Sequence, residues 1–375
     1  MLDAGKRHPA PPAVERAPGT APRLTALDRV LRGWAAPGVP TSARVVGLVL
    51  VGLFPVLVPN YYWAQVATTI WLYAILAIGV NVVTGYAGML NLGHAAFYGF
   101  GAYVAAYAMV QWSTTWLVAF ALAGVATGVL GLVVSLPCLR VQSDFLGLVT
   151  IAFGSLFTVL ATNWVSITGG SSGLAGIPPA TIGPLHFESN RDYYELALGL
   201  LVTVYIVVKR LERSSIGRAW TAIREDSLAA GTLGVPVLYY KVLAFVISAA
   251  VAGFAGAIYA PFIAVVSPTA YNLNQSLLLV EMVIVGGLGS LPGSIIGAGI
   301  FILIPQVFQP LLVYQVGIGG AVMVLIMARR PQGLLGKTAF GQSLRDGPLA
   351  RRVEALQARA AAARRPVRYV PGGQA

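Results

Sequence analysis

One cysteine, three histidines and 13 acidic residues are spread through a chain of 375. The single Cys138 excludes a disulfide within the chain and a cysteine-rich metal centre. His8, His94 and His186 are too far apart in sequence for zinc-ligand spacing. There is no Gly-x-x-x-x-Gly-Lys-Ser/Thr run, so no phosphate loop of the ATPase kind. Nor is there a cluster of His, Asp and Cys of the sort an integral membrane enzyme needs. Charged residues make up only 10%, against about 25% in soluble domains, which leaves no room for a large soluble domain.

What fills the chain instead is apolar. Hydrophobic residues account for 57% and the mean hydropathy is +0.76. The class is an all-α polytopic membrane protein. A net charge of +12 invites a nucleic-acid partner, but its distribution argues against one. Of the 25 Lys and Arg, 22 fall in residues 1–44, 209–224 and 329–375, as the positive-inside rule requires of cytoplasmic segments. The chain reads as a disordered basic tail (1–44), a transmembrane domain (45–328) and a second basic tail (329–375).

About ten spans are expected: Val45–Val58, Trp63–Val83, Met89–Val110, Trp116–Leu136, Phe145–Val165, Tyr193–Val208, Lys241–Val265, Gln275–Leu288, Ser294–Phe308 and Leu311–Met327. Ten spans put both tails, Arg140 and the 209–240 loop in the cytoplasm, and the 166–192 loop outside. Several spans fall short of the ~20 residues of a full crossing, so some are broken or re-entrant.

The 209–240 loop is the one long charged stretch between apolar segments. Ile216, Ala219, Ile223, Ala230 and Leu233 recur at helical spacing, with a gap near Ser227. Small alanines and mixed charges favour a protein partner over a lipid surface. A structured loop without a partner is the competing reading.

Two glycine-rich runs resemble each other: Val83-Thr-Gly-Tyr-Ala-Gly-Met-Leu90 and Ile284-Val-Gly-Gly-Leu-Gly-Ser-Leu291. Such breaks at corresponding positions of two halves point to a transport pathway near the midplane. Close helix packing accounts for glycine equally well. Polar residues inside spans are candidate pathway groups by default. Asn81, Asn91 and His94 flank the first break with Gly88. Glu281 precedes the second, which holds Gly286, Gly287 and Gly289. Asn163 lies near an outer end. Glu281 suits a substrate ammonium or a helix-packing role, and His94 a pathway or an inter-helix bond.

Five runs in order resemble the branched-chain amino acid ABC transporter permeases, in their LivM-type form. They are Gly85 to Tyr103, Thr150-Ile-Ala-Phe-Gly154 with Thr168-Gly-Gly170, Ser215 to Asp226 with Ala229, Ala230 and Gly234, Met282 to Gly293, and Pro331-Gln-Gly-Leu-Leu-Gly336. The resemblance spans roughly residues 60–336. Asn91 departs from it, since serine is common there. The resemblance implies an importer subunit in a bacterial inner membrane that works by ATP-driven alternating access. It further implies that Gly217, Arg218, Ala222, Arg224, Glu225, Asp226, Ala229, Ala230 and Gly234 form a coupling helix for a cytoplasmic ATPase. The implied partners are two ATPases, which carry the ATP and magnesium, a second homologous permease and an extracytoplasmic binding protein. This chain would bind no cofactor and catalyse no reaction. Urea, amides or small organic acids are alternative cargoes. An ion-coupled secondary transporter is disfavoured, because Glu281 is nearly the only intramembrane acid.

Overall fold

The computed structural model describes residues 61–138, 145–183 and 185–307, with 317, 319–321, 323, 324, 328, 333 and 334 beyond them. The expected span Val45–Val58, Arg140, most of the expected last span, the first basic tail and all of the second but Gly333 and Leu334 lie outside the described residues.

The bundle is built around Tyr61–Asn81 (α1), which runs on through a π-helical turn, Val82–Tyr86. Leu72 and Ala74 to Ile78 are almost completely buried. A helix that is apolar all round belongs in a core, and this one has neighbours on every side. It packs against Asn190–Arg213 (α6), Val237–Ile263 (α9), Leu273–Gly286 (α10) and Leu291–Val307 (α11). Helices His94–Gln111 (α2) and Trp116–Cys138 (α3) pack on α9, and Leu146–Asn163 (α4) lies against α2.

Among the described residues four helices are long and apolar enough to cross a membrane: α1 with its π turn, α3, α4 and α9. Two of them present apolar side chains outward, including Leu117, Val125, Val129 and Val133 on α3 and Leu148, Leu156 and Val159 on α4. In a bilayer such faces meet lipid or another apolar protein. Helix α10, with 14 residues, is only about 21 Å long and falls short of the ~30 Å hydrocarbon core. The expectation of short, broken segments holds for this region.

Close approach at the α2–α9 crossing depends on missing side chains. Gly101 lies against the backbone of Gly253, and Gly253 also faces Ala123 O and Thr127 Oγ1 of α3. Trp116 Nε1 donates to Ala257 O at 2.9 Å, tying α3 to α9. Helix α6 starts at a capping box, in which Ser189 Oγ accepts from Arg191 N and Asp192 Oδ2 accepts from Ser189 N.

The two ends of the bundle differ. At one end, the segment after α4 forms a short helix, Val165–Thr168 (α5), then Leu174–Ala175 (β1), Ala180–Ile182 (β2) and Leu185–Phe187 (β3). Strands β2 and β3 make a hairpin, and β1 pairs antiparallel with Val265–Val266 (β4), which follows α9. At the other end, Ser215–Glu225 (α7) and Ser227–Thr232 (α8) pack under α6, α9 and the π turn.

The third expected span is corrected at its start. Residues 87–93 are an irregular loop, and α2 begins at His94 rather than Met89. The glycine run cannot hold helix there, because Gly88 takes a φ of +71°.

Candidate functional site

The charged stretch forms two helices, and their break falls at the expected gap. Asp226 is extended (φ −157°), and its Oδ1 accepts from Leu228 N at 2.9 Å and Ala229 N at 3.0 Å, capping α8. Helix α7 is capped by Ser214, whose Oγ accepts from Ile216 N. Gly217 sits against the Glu212 backbone, where a side chain would collide.

The apolar face of this stretch turns inward. Ala219, Trp220, Ile223 and Ala230 are buried, and Trp220 Nε1 donates to Tyr240 O at 2.8 Å. That face packs on the chain itself and is not the one offered to a partner. Leu233 departs from it and stands 85% exposed, next to Leu228 at 79%. The outward surface carries Arg218, Ala222, Glu225, Asp226, Ala229 and Gly234. Ser215, Arg218, Ala222, Gly234, Pro236 and Tyr240 help line a groove of about 350 Å³ there.

Arg224 is the residue that joins this surface to the bundle. Its side-chain stem lies over Gly88, where a Cβ would come within 2.9 Å of Arg224 Cγ. Its Nη1 donates to the Gly85 carbonyl at 2.5 Å, across 139 residues. Gly289 completes the node, and a Cβ on it would stand 3.2 Å from Arg224 Nη1. Asn81 Oδ1 accepts from Gly289 N at 2.8 Å, a bond that fixes the amide's orientation. Gly85 lies over that bond, so any side chain on it would strike Asn81 Oδ1 and Gly289 N.

The two glycine breaks are thus in contact with each other. They share one backbone feature: Gly88 and Gly289, which correspond in the repeat, have φ of +71° and +75°, whereas Gly287 at +120° corresponds to the π-helical Tyr86. The node lies beyond the 21 residues of α1, about 31 Å of helix. It therefore sits at the α7 end of the bundle rather than halfway along it. Gly333 and Leu334 of the late run seal the second break. Leu334 N donates to Val285 O at 2.9 Å, and Gly333 lies against Gly287. Gly286 packs on the Gly293 carbonyl.

The remaining expected residues are placed elsewhere. Asn91 Oδ1 accepts from Gly93 N at 3.0 Å, and Leu92 N donates to Thr150 Oγ1 at 3.0 Å, which pins the loop to α4. His94 is completely buried, with Nδ1 3.5 Å from Ser248 Oγ, while that hydroxyl donates to Gly79 O at 2.7 Å. This is an inter-helix role that sequence left open. Asn163 is exposed at the far end of α4, its Nδ2 on Val159 O. Glu281 is half-buried and faces Gly319, near Phe301. Gly85 and Gly333 were visible as motif letters, but nothing in the sequence says what they touch. Among the described residues no group of three metal-binding side chains occurs.

Residues 62–327 match the family described as "Branched-chain amino acid transport system / permease component". The chain is 35% identical over 306 residues to the high-affinity branched-chain amino acid transport system permease protein LivM of Salmonella typhimurium, covering 76% of this chain and 72% of that one. It is 34% identical to LivM of Escherichia coli over the same shares. The permease protein LivH of Salmonella typhimurium is 27% identical, covering 71% of this chain and 91% of its own. No solved structure matches. On the family match and the LivM identities, this chain belongs to the branched-chain amino acid transport permease family.

Proposed function

We propose that the chain is the transmembrane permease subunit of an ABC importer, moving branched-chain or similar small amino acids across a bacterial inner membrane. The observation that carries this reading is Arg224, which links an exposed helix pair to the contact between the two glycine breaks. A partner seated on α7 and α8 moves Arg224, and Arg224 moves the end of α1.

In this reading the 209–240 loop is cytoplasmic, and the groove by Arg218 and Ala222 receives an ATPase. The ATPases hold ATP and magnesium and perform the hydrolysis, while this chain catalyses nothing. A second homologous permease and an extracytoplasmic binding protein complete the assembly. The binding protein approaches the 166–192 end. Ten spans with both termini inside, flanked by tails 1–44 and 329–375, are part of the same proposal. Alternating access then runs from the ATPase groove through the glycine node to the helices that surround α1. Asn81, Gly88 and Gly289 act there as moving parts. Glu281 is the proposed polar group along the path, and Asn163 stands at its outer mouth.

Ala222→Trp and Arg218→Glu are expected to leave the protein inserted and folded, because both positions are exposed. Either change blocks the groove or reverses its charge, and reconstituted uptake should fall at least about tenfold while basal ATP hydrolysis persists. Wild-type uptake by both variants would remove the groove from the coupling path. Glu281→Gln should lower uptake with assembly intact, and unchanged kinetics would leave Glu281 a packing role. Class is tested by purifying the chain from native membranes and identifying what comes with it. Two ATPases, a second permease and a binding protein are the expected companions.

A further inference from the structure

Away from the glycine node, five tyrosines converge where no role has been assigned. Tyr98 and Tyr103 come from α2, Tyr259 from α9, Tyr73 from α1, and Tyr271 from the turn Pro268–Tyr271 between β4 and α10. The Tyr98 ring lies 5.3 Å from both Tyr259 and Tyr271, and Tyr271 lies 6.3 Å from Tyr103 and 6.5 Å from Tyr259. Gln275 Nε2 donates to Tyr73 OH at 2.5 Å. The hydroxyls of Tyr98, Tyr103 and Tyr271 are buried and have no hydrogen-bond partner among the described residues.

That last fact separates this cluster from ordinary core packing. A buried hydroxyl without a partner is destabilising, and phenylalanine would fill the same space without that cost. Three such hydroxyls in one cluster need a use. Tyr271 is also unusual in its origin, since a loop residue seldom buries its ring completely. Its ring lies against Gly99, where any side chain would collide, with Phe157 beside it. The loop that carries it is tied to the outer segment by β4, through Leu174↔Val266 and Ala175↔Val265.

We propose that this cluster is the permease's own subsite for the ammonium and carboxylate head of a small α-amino acid, closed here by Tyr271. The inference rests on the importer reading above. The ring faces attract an ammonium, and the hydroxyls donate to a carboxylate. With rings in contact, the closed subsite holds no ligand. It opens when the Tyr271 loop is drawn out, and the β1–β4 pair is the handle by which an event on the outer loop does so.

The test is a double variant, Tyr98→Phe with Tyr271→Phe, in the intact importer reconstituted with its binding protein, using leucine, valine and alanine as probes. The change removes two hydroxyls and keeps both rings, so thermal stability should hold or rise. Uptake is expected to drop at least about tenfold, with assembly and ATP hydrolysis retained. A double variant as stable and as fast as wild type overturns the subsite and leaves the importer reading standing. A wild-type complex that takes up none of the probes sinks the importer reading, and the subsite with it. Should the double variant lose stability, each single variant is assayed alone, and wild-type uptake by both again overturns the subsite.

Discussion

Arg224→Ala is expected to give a permease that inserts, assembles and binds its partner, yet imports little. The guanidinium reaches from the exposed helix pair to the Gly85 carbonyl, and its stem covers Gly88. A hydrogen bond from a charged donor is worth about 1.5–3 kcal/mol, and its loss from the coupling step corresponds to roughly a 10- to 100-fold change. ATP hydrolysis should continue, because the groove residues proposed to meet the ATPase are untouched. Arg224→Lys is expected to recover only part of the uptake, since a lysine offers a point charge in place of a fixed fork. Uptake and hydrolysis measured on the same proteoliposomes decide the matter. Wild-type coupling in Arg224→Ala would show that force reaches the bundle by another route.

The second large effect is on folding. Gly253→Leu should prevent a stable bundle, because Gly253 is wedged between Gly101 of α2 and the Ala123 carbonyl of α3. A Cβ there would stand 2.6 Å from both Ala123 O and Thr127 Oγ1, and these neighbours are backbone or a short side chain. Overpacking in a core commonly costs about 1–3 kcal/mol, and here three helices must separate at once. The expected result is loss of monodisperse protein after detergent extraction. Gly199→Ala on α6 is the control. Nothing lies within 4 Å of the position a Cβ would take there, and alanine should be neutral or add up to about 1 kcal/mol of helix stability. Equal yield from Gly253→Leu and wild type would contradict the α2–α9–α3 crossing.

The sequence made the membrane class, the positions of most described helices, both glycine breaks and the charged stretch legible, because each is written in composition or local spacing. Residues 83–90 and 284–291 could be matched by eye, and within them Gly88 and Gly289 share a positive φ while Tyr86 and Gly287 differ. The destinations of side chains were not legible. The Ile216–Ala219–Ile223 spacing marks a face but not which way it points, and it points into the chain. Arg224 and Asp226 read as two charges of one coupling helix. One reaches into the bundle and the other caps a helix, and only the tertiary fold separates these uses. Likewise, Tyr271 reads as a residue of the short connection between the expected spans Lys241–Val265 and Gln275–Leu288 until the Gly99 surface beneath it is seen.

The bond between Gly289 N and Asn81 Oδ1 also has a history within each molecule. Its partners are 208 residues apart, and the Leu334–Val285 bond that seals the same break comes later still. At about 5–20 residues per second on the ribosome, the Asn81 amide waits roughly 10–40 s for its partner to be made. Throughout that interval the first break is finished but unmatched. Nascent chains stalled before residue 289 therefore carry an open seam beside α1, and chains stalled before 333 carry one beside α10.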